Sequence, residues 1–133
     1  MPNKRPYHTI IPGLATKDGQ LWATFGVMGG FMQPQGHFQV ISAMVDDNIN
    51  PQEALDRPRW CLESGYSTSM LALEEGIPFK TLAELARLGH HIRPVSGADR
   101  ALFGSGQIIR RDNSSGVLFG GSDPRKDGQV AGF

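Results

Sequence analysis

Residues 21–30 have the sequence LWATFGVMGG, an apolar run with aromatic and β-branched members that ends in two adjacent glycines. Such a run predicts a strand over residues 21–27, because side chains of this kind favour extended backbone. The preceding residues 17–20 contain an Asp-Gly pair, which is typical of a two-residue hairpin turn. The β-branched residues 8–12 predict the partner strand, so we expect a hairpin that leads into a glycine-rich turn.

Two helices are predicted after this turn. Apolar residues recur every three or four positions between Pro34 and Asn48, which is the spacing of one helix face. Asn50 and Pro51 are typical of an N-cap and a first helical position, and they predict a short helix that ends near Asp56. The apolar face of the first helix contains Phe38, Ile41, Met44, Val45 and Ile49.

The second half of the sequence alternates short strands with one further helix. Residues 79–88 have the spacing of an amphipathic helix, and Gly89 is a suitable C-terminal cap. This order predicts an α+β fold in which helices flank antiparallel strands. Without a repeat or a linker, residues 1–133 are interpreted as a single segment. The further strands are predicted at residues 60–63, 70–73, 91–95, 107–110 and 117–119, with a polar loop at residues 64–69.

Composition and charge exclude several classes of function. The 133 residues contain 13 basic and 13 acidic side chains without a long run of one sign, which argues against nucleic-acid binding. No apolar run approaches the roughly 20 residues of a membrane span. One cysteine forbids an internal disulfide, and four histidines without a Cys/His cluster give no zinc pattern. We therefore expect no nucleic-acid or membrane partner and no metal.

The glycine-rich turn is the strongest candidate for chemistry in the residues themselves. Gly29 and Gly30 lie between a strand and a helix, where backbone N–H groups can face an anion or a developing oxyanion. A tight turn without function is the alternative, since lone glycine clusters are weak signals. The spacing fits neither a P-loop nor a dinucleotide fingerprint, so no cofactor is indicated. His8 and Thr9 are polar at a strand end, which is also typical of an ordinary surface strand.

Other chemically active side chains are interpreted as structural. Cys61 lies among apolar neighbours and is expected to be an inert core thiol. His37 adjoins an apolar helix position and is interpreted as a packed histidine. Arg57 and Arg59 are predicted to be solvated at a helix exit, and Asp123 is expected to pair with an arginine in a pinned loop.

Six segments of the sequence occur together, in the same order, in one protein family. The segment that ends in SDPR is the most specific of them, and the six together cover nearly the whole chain. They are KRP at 4–6 with DG at 18–19, FGVMGG at 25–30, QV at 39–40, NPQEALDRPR at 50–59, GSGQ at 104–107, and GVLFG with SDPR at 116–125. Together they resemble the C-terminal part of the small subunit of the γ-glutamyltransferase family, whose members cleave γ-glutamyl amides such as glutathione.

This resemblance implies a fold, a mechanism and four site residues. The family consists of N-terminal-nucleophile hydrolases with a four-layer αββα sandwich, formed from a precursor that cleaves itself. The threonine exposed by that cleavage uses its own amine as base and forms an acyl-enzyme, which water or an acceptor amine then resolves. Gly29 and Gly30 match the positions whose N–H groups form the oxyanion hole. His8 and Thr9 align with the paired serines that hold the substrate α-carboxylate.

The sequence departs from the family pattern in two ways. The nucleophilic threonine is not in it, so we expect the chain alone to be inactive. Its expected partners are the remainder of the same enzyme, namely the large subunit and the N-terminal part of the small subunit, and a small γ-glutamyl amide. In addition, His8-Thr9 replaces the two serines and Val27-Met28 replaces the Ser-Pro before the glycines, both on the substrate side of the pocket.

These departures leave alternatives open. A related acylase of the same family would cleave a different acyl group, for instance a glutaryl-type one. A free-standing, non-catalytic domain would only bind or assemble, and would be a folded monomer or homo-oligomer in isolation. The apolar sheet faces and strand edges that such a segment exposes argue against this alternative. An anion-binding module is a third interpretation, although no phosphate-specific residue lies beside the glycine turn.

Overall fold

The computed structural model describes residues 1–64 and 70–132, so most of the polar loop expected at 64–69 lies outside the described residues. The strands are β1 (Gly13–Lys17), β2 (Gln20–Met28), β3 (Trp60–Leu62), β4 (Leu71–Glu74), β5 (Ile92–Val95), β6 (Ser105–Arg111) and β7 (Leu118–Ser122). The helices are α1 (Met32–Asp46), α2 (Pro51–Asp56) and α3 (Phe79–Arg87), with a 3₁₀ helix at Gly97–Phe103. The helices and strands occur together as an α+β fold, as expected.

The larger sheet is antiparallel and has the strand order β1-β2-β6-β7. Its first hairpin turns at Asp18 and Gly19, whose φ angles of 53° and 74° suit a two-residue turn of this kind. The predicted turn is therefore confirmed, but the predicted partner strand is wrong. The turn sets the register so that Gly13 pairs with Phe25, and residues 8–12 lie beyond that pair, outside any strand.

The smaller sheet has the order β3-β4-β5. Strands β3 and β4 are antiparallel, whereas β4 and β5 are parallel, so this sheet is mixed. Strand β5 lies at the edge and contains Pro94, which has no N–H to donate and is best tolerated there. The connection between β4 and β5 contains α3, whose predicted glycine cap is present, since Gly89 has a φ of 96°.

Helix α1 packs across the larger sheet with a face that matches the predicted one only in part, since Met44 is buried and Ile41 packs against the core. Its buried residues are Met32, Gly36, Val40, Ala43 and Met44. Phe38 and Val45 are 61% and 59% exposed, so their predicted burial is wrong. The reason is the close approach at Gly36, where an added Cβ would lie 2.6 Å from the Val27 side chain. The missing side chain lets the backbone of α1 approach β2 on this face.

Helix α2 begins as predicted. The Asn50 side chain accepts a hydrogen bond from the Glu53 N–H at 2.9 Å, and the Glu53 carboxylate accepts one from the Asn50 N–H at 3.2 Å. This reciprocal capping box, followed by Pro51, satisfies two backbone donors that a helix start leaves unpaired. The cap directs the short helix onto the larger sheet, where Ala54 and Leu55 are buried.

Beyond α2, Arg59 is 1% exposed, so its predicted solvation is wrong. Its guanidinium pairs with the buried Asp123 carboxylate at 2.7 Å and donates to the Phe103 carbonyl at 3.1 Å. The carboxylate of Asp123 also accepts from the Gly106 N–H at 2.7 Å, which confirms the pinned loop. Arg57, by contrast, is exposed and pairs with Asp47 at the surface. The pairing of Asp123 with an arginine was expected, but Arg59 was not expected as its partner, because an isolated arginine in a sequence gives no sign of a distant carboxylate.

A second buried pair adjoins the first. Glu74, at the end of β4, accepts hydrogen bonds from Arg125, from Arg100 at 2.7 Å, and from the Arg59 N–H at 2.7 Å. Arg125 also donates to Asp123 at 3.1 Å, so the two pairs form one network. Burial alone would raise the pKa of the Glu74 carboxyl, but the hydrogen bonds from Arg125 and Arg100 outweigh it and hold that pKa below its ordinary value. The glutamate therefore stays ionised.

We expect Arg59→Met to lower the free energy of unfolding of the purified protein by about 3–5 kcal/mol, because it leaves Asp123 as a buried and less compensated charge. Arg57→Met is the matched control, since it removes an exposed ion pair and should cost about 1 kcal/mol or less. Urea unfolding measures both variants. Equal losses in the two variants would show that the buried network contributes no more than a surface pair.

Candidate active site

The glycine turn connects the end of β2 to the start of α1. Gly29 and Gly30 have φ angles of +140° and +60°, which side chains with a Cβ adopt poorly. Their carbonyls accept from the first turn of α1, from Met32 N–H at 3.0 Å and Gln33 N–H at 3.1 Å. Among the residues that the structure describes, the N–H groups of Gly29 and Gly30 have no acceptor. The turn thus presents two adjacent donors at the positive end of a 15-residue helix.

A third glycine, Gly104, packs directly against this turn. Gly104 precedes β6 and has a φ of +70°. A Cβ added to Gly104 would lie 1.9 Å from the Met28 carbonyl oxygen, and one added to Gly29 would lie 3.2 Å from the Gly104 Cα. The two backbones are therefore in direct contact. Sequence reasoning gave Gly104 no role of its own, although its place in the GSGQ segment just before a strand was the available signal.

The predicted substrate residues and the turn line one open cleft. His8, Thr9 and Gly30 all line this cleft, which has a volume of about 430 Å³. Gly29 directly precedes Gly30 in the chain. The structure therefore brings the predicted site residues into one region, although the segment that carries His8 and Thr9 is not the expected strand. The rest of the lining is largely apolar and includes Tyr7, Ile10, Ile11, Phe31 and Pro34.

One side chain connects the His8-Thr9 segment to helix α1. The Gln33 amide, on the first turn of α1, donates to the Thr9 carbonyl at 2.8 Å. Sequence reasoning missed Gln33, because a glutamine on a helix carries no sign of a partner 24 residues away. The cleft wall formed by residues 7–11 is thus tied to the helix that follows the glycine turn.

Of the two side chains interpreted as structural, Cys61 is buried and His37 is half-buried. The core position expected for Cys61 is confirmed, and burial raises the pKa of its thiol, which favours the protonated form at neutral pH. The ring of His37 packs edge-on against Phe25 with ring centroids 5.5 Å apart. Burial lowers the pKa of His37, which keeps the imidazole neutral near pH 7. The packed-histidine interpretation is therefore also confirmed.

Across 1–64 and 70–132, His, Cys, Asp and Glu side chains form no group of three or more that could hold a metal ion. Within the same ranges, no helix has both the length and the apolar character needed to cross a bilayer.

The family model described as Gamma-glutamyltranspeptidase matches residues 1–133. The chain belongs to this family. It is 35% identical to a glutathione hydrolase-like proenzyme of Bacillus subtilis, over 99% of this chain and 25% of that protein. It is 34% identical to the oxamate amidohydrolase proenzyme of Klebsiella pneumoniae, again over 99% of this chain and 25% of that protein. The chain thus spans about a quarter of the length of these curated relatives.

Solved structures of the family show the same fold. A cephalosporin acylase from Bacillus halodurans is 51% identical, with a TM-score of 0.86, over 98% of this chain and 24% of that one. A mutant of Helicobacter pylori gamma-glutamyltranspeptidase is 27% identical, with a TM-score of 0.78, over 95% of this chain and 66% of that one. The expected family and the expected N-terminal-nucleophile hydrolase fold are both confirmed.

Gly104→Ala should lower the free energy of unfolding by about 3 kcal/mol or more, because the new methyl group overlaps the Met28 carbonyl oxygen. Gly97→Ala is the matched control, since Gly97 has a φ of +61° and open space around it, and it should cost about 1–2 kcal/mol. Urea unfolding of the purified variants measures the difference. A Gly104→Ala variant as stable as Gly97→Ala would contradict the described contact between the two glycine segments.

Proposed function

We propose that this chain is the part of an amide-cleaving enzyme that supplies the oxyanion hole, through the N–H groups of Gly29 and Gly30. The observation that carries the proposal is the pair of adjacent N–H donors without an acceptor among the described residues, at the edge of a cleft lined by His8 and Thr9. Family membership adds support, since the relatives include hydrolases and acylases by name.

The chemistry that this arrangement suits is acyl transfer. When a nucleophile adds to an amide carbonyl, the carbonyl oxygen becomes an oxyanion. Two donors already oriented toward that oxygen lower the barrier, and one such donor is typically worth 10²–10³ in turnover, or about 3–4 kcal/mol. The contact between Gly29 and Gly104 limits movement of the turn, so the donors need little reorganisation during the reaction.

The nucleophile lies outside this chain in the proposed enzyme. The family resemblance assigns the attack to a threonine at the start of the small subunit, which uses its own amine as base. Residues 1–133 then require the large subunit and the N-terminal part of the small subunit, and are inactive alone. Exposed apolar side chains support such a partner, because Phe79 at the start of α3 is 83% exposed and Leu88 at its C-cap is 67% exposed.

The proposed substrate is a small γ-glutamyl amide of the glutathione type. His8 and Thr9 occupy the positions of the serines that hold the α-carboxylate in the family, and both have side-chain donors suited to a carboxylate. In the proposed complex, the acyl group lies in the cleft between these residues and Gly30, with its scissile carbonyl beside the glycine turn. No cofactor takes part.

A second candidate is an acylase of the same family that accepts a less polar acyl group. The observation that favours it is the apolar lining contributed by Tyr7, Ile10, Ile11 and Phe31, in a cleft to which the described residues contribute no lysine or arginine. The 51% identity to a cephalosporin acylase points in the same direction. Under this alternative the glycine turn keeps its role and only the acyl specificity differs.

Acyl-enzyme trapping tests the proposed function. The intact enzyme is mixed briefly with γ-glutamyl and glutaryl anilides, quenched in acid, and examined by denaturing mass spectrometry. We expect an acyl adduct on a polypeptide segment outside residues 1–133, and none on the isolated chain, because the nucleophile is not in it. The anilide that gives the faster burst of aniline shows which of the two candidate acyl groups the enzyme prefers.

Native mass spectrometry of the untreated protein from its natural source provides the control. A complex with a larger polypeptide is the expected state. A lone 14.5 kDa chain or its homo-oligomer, without turnover of either anilide, would contradict the enzymatic proposal and favour a binding or assembly domain.

A further inference from the structure

Gln33 contacts both halves of the candidate site. Its backbone N–H donates to the Gly30 carbonyl at 3.1 Å, which holds the glycine turn against α1. Its side-chain nitrogen donates to the Thr9 carbonyl at 2.8 Å, and the same nitrogen lies 3.5 Å from the Gly30 carbonyl. One residue is therefore bonded to the oxyanion turn through its backbone and to the His8-Thr9 segment through its side chain.

The His8-Thr9 segment has little else to hold it in place. Within the part of the chain that the structure describes, no other hydrogen bond joins residues 1–12 to the remainder. Burial does not hold the segment either, since Tyr7 is 93% and Ile10 68% exposed. Among the described residues, the position of this cleft wall therefore depends on one hydrogen bond, which the Gln33 side-chain amide donates to the Thr9 carbonyl.

We propose that Gln33 is a positioning residue that sets the distance between the His8-Thr9 segment and the glycine turn, and thereby the fit of the acyl group. This inference rests on the proposed function. Gln33 acts through the Thr9 backbone and does not touch the reacting atoms. Loss of its donor lets the wall move and weakens acyl binding equally in the ground state and the transition state, so KM rises while kcat is retained.

Gln33→Met tests the inference, because it keeps the length of the side chain and removes the donor. Helix α1 offers a matched control in Gln39, whose amide bridges the backbone of Trp60 at 2.9 and 3.0 Å on the side of β3, outside the cleft. In the intact enzyme we expect Gln33→Met to raise KM roughly 3–10-fold with kcat within about twofold. Gln39→Met should leave KM within about twofold. An unchanged KM in Gln33→Met, or equal rises in both variants, would overturn the inference.

Crystal structures provide a second readout that needs no substrate. In the intact enzyme, residues 7–11 should move away from the glycine turn, or have higher B-factors, in Gln33→Met but not in Gln39→Met, because only Gln33 bonds to the Thr9 carbonyl. An unchanged position and unchanged B-factors of that segment would overturn the positioning role. If the wild-type enzyme cleaves neither anilide, the proposed function fails, and the structures still decide whether Gln33 holds the cleft wall.

Discussion

Four buried charged side chains hold the two sheets of this chain together. Asp123 follows the last strand of the larger sheet and Glu74 ends the central strand of the smaller one, and Arg59 and Arg125 connect them. Removing such charges from water is costly, and mutual pairing with hydrogen bonds to backbone groups offsets that cost. Because each arginine bonds to backbone carbonyls as well, the network also fixes the chain around it.

The same network extends to the candidate site. Arg59 donates to the Phe103 carbonyl, and the Asp123 carboxylate accepts from the Gly106 N–H. These two bonds hold both ends of residues 103–106, where β6 begins. Gly104 lies in that segment and directly supports Gly29. The glycine turn is therefore supported by buried ion pairs that do not line the cleft. A rigid support of this kind is what an oxyanion hole needs, since its stabilisation depends on donors that do not have to reorganise.

Short sequence motifs predicted the hairpin turn and the helix cap, because a few adjacent residues determine each of them. The Asp18-Gly19 turn and the Asn50 cap are each specified by a few adjacent residues, and both are present. Features that depend on distant partners were not predictable in this way. The buried face of α1 is set by contact between Gly36 and Val27, and the burial of Arg59 depends on Asp123, 64 positions later. In the candidate site, Gly29 and Gly30 were identifiable from the sequence. Gln33 and Gly104 were not, because their contacts with Thr9 and with Gly29 exist only in the folded chain.

In the proposed enzyme, Gly29 and Gly30 donate to the oxyanion of an amide-cleaving reaction. A crystal structure of the intact enzyme with a covalent phosphonate or boronate analogue of the tetrahedral intermediate tests this role. We expect an anionic oxygen about 2.7–3.1 Å from the backbone nitrogens of Gly29 and Gly30, with the acyl group in the cleft beside His8 and Thr9. An anionic oxygen held by other donors, with the glycine turn facing solvent, would rule the role out.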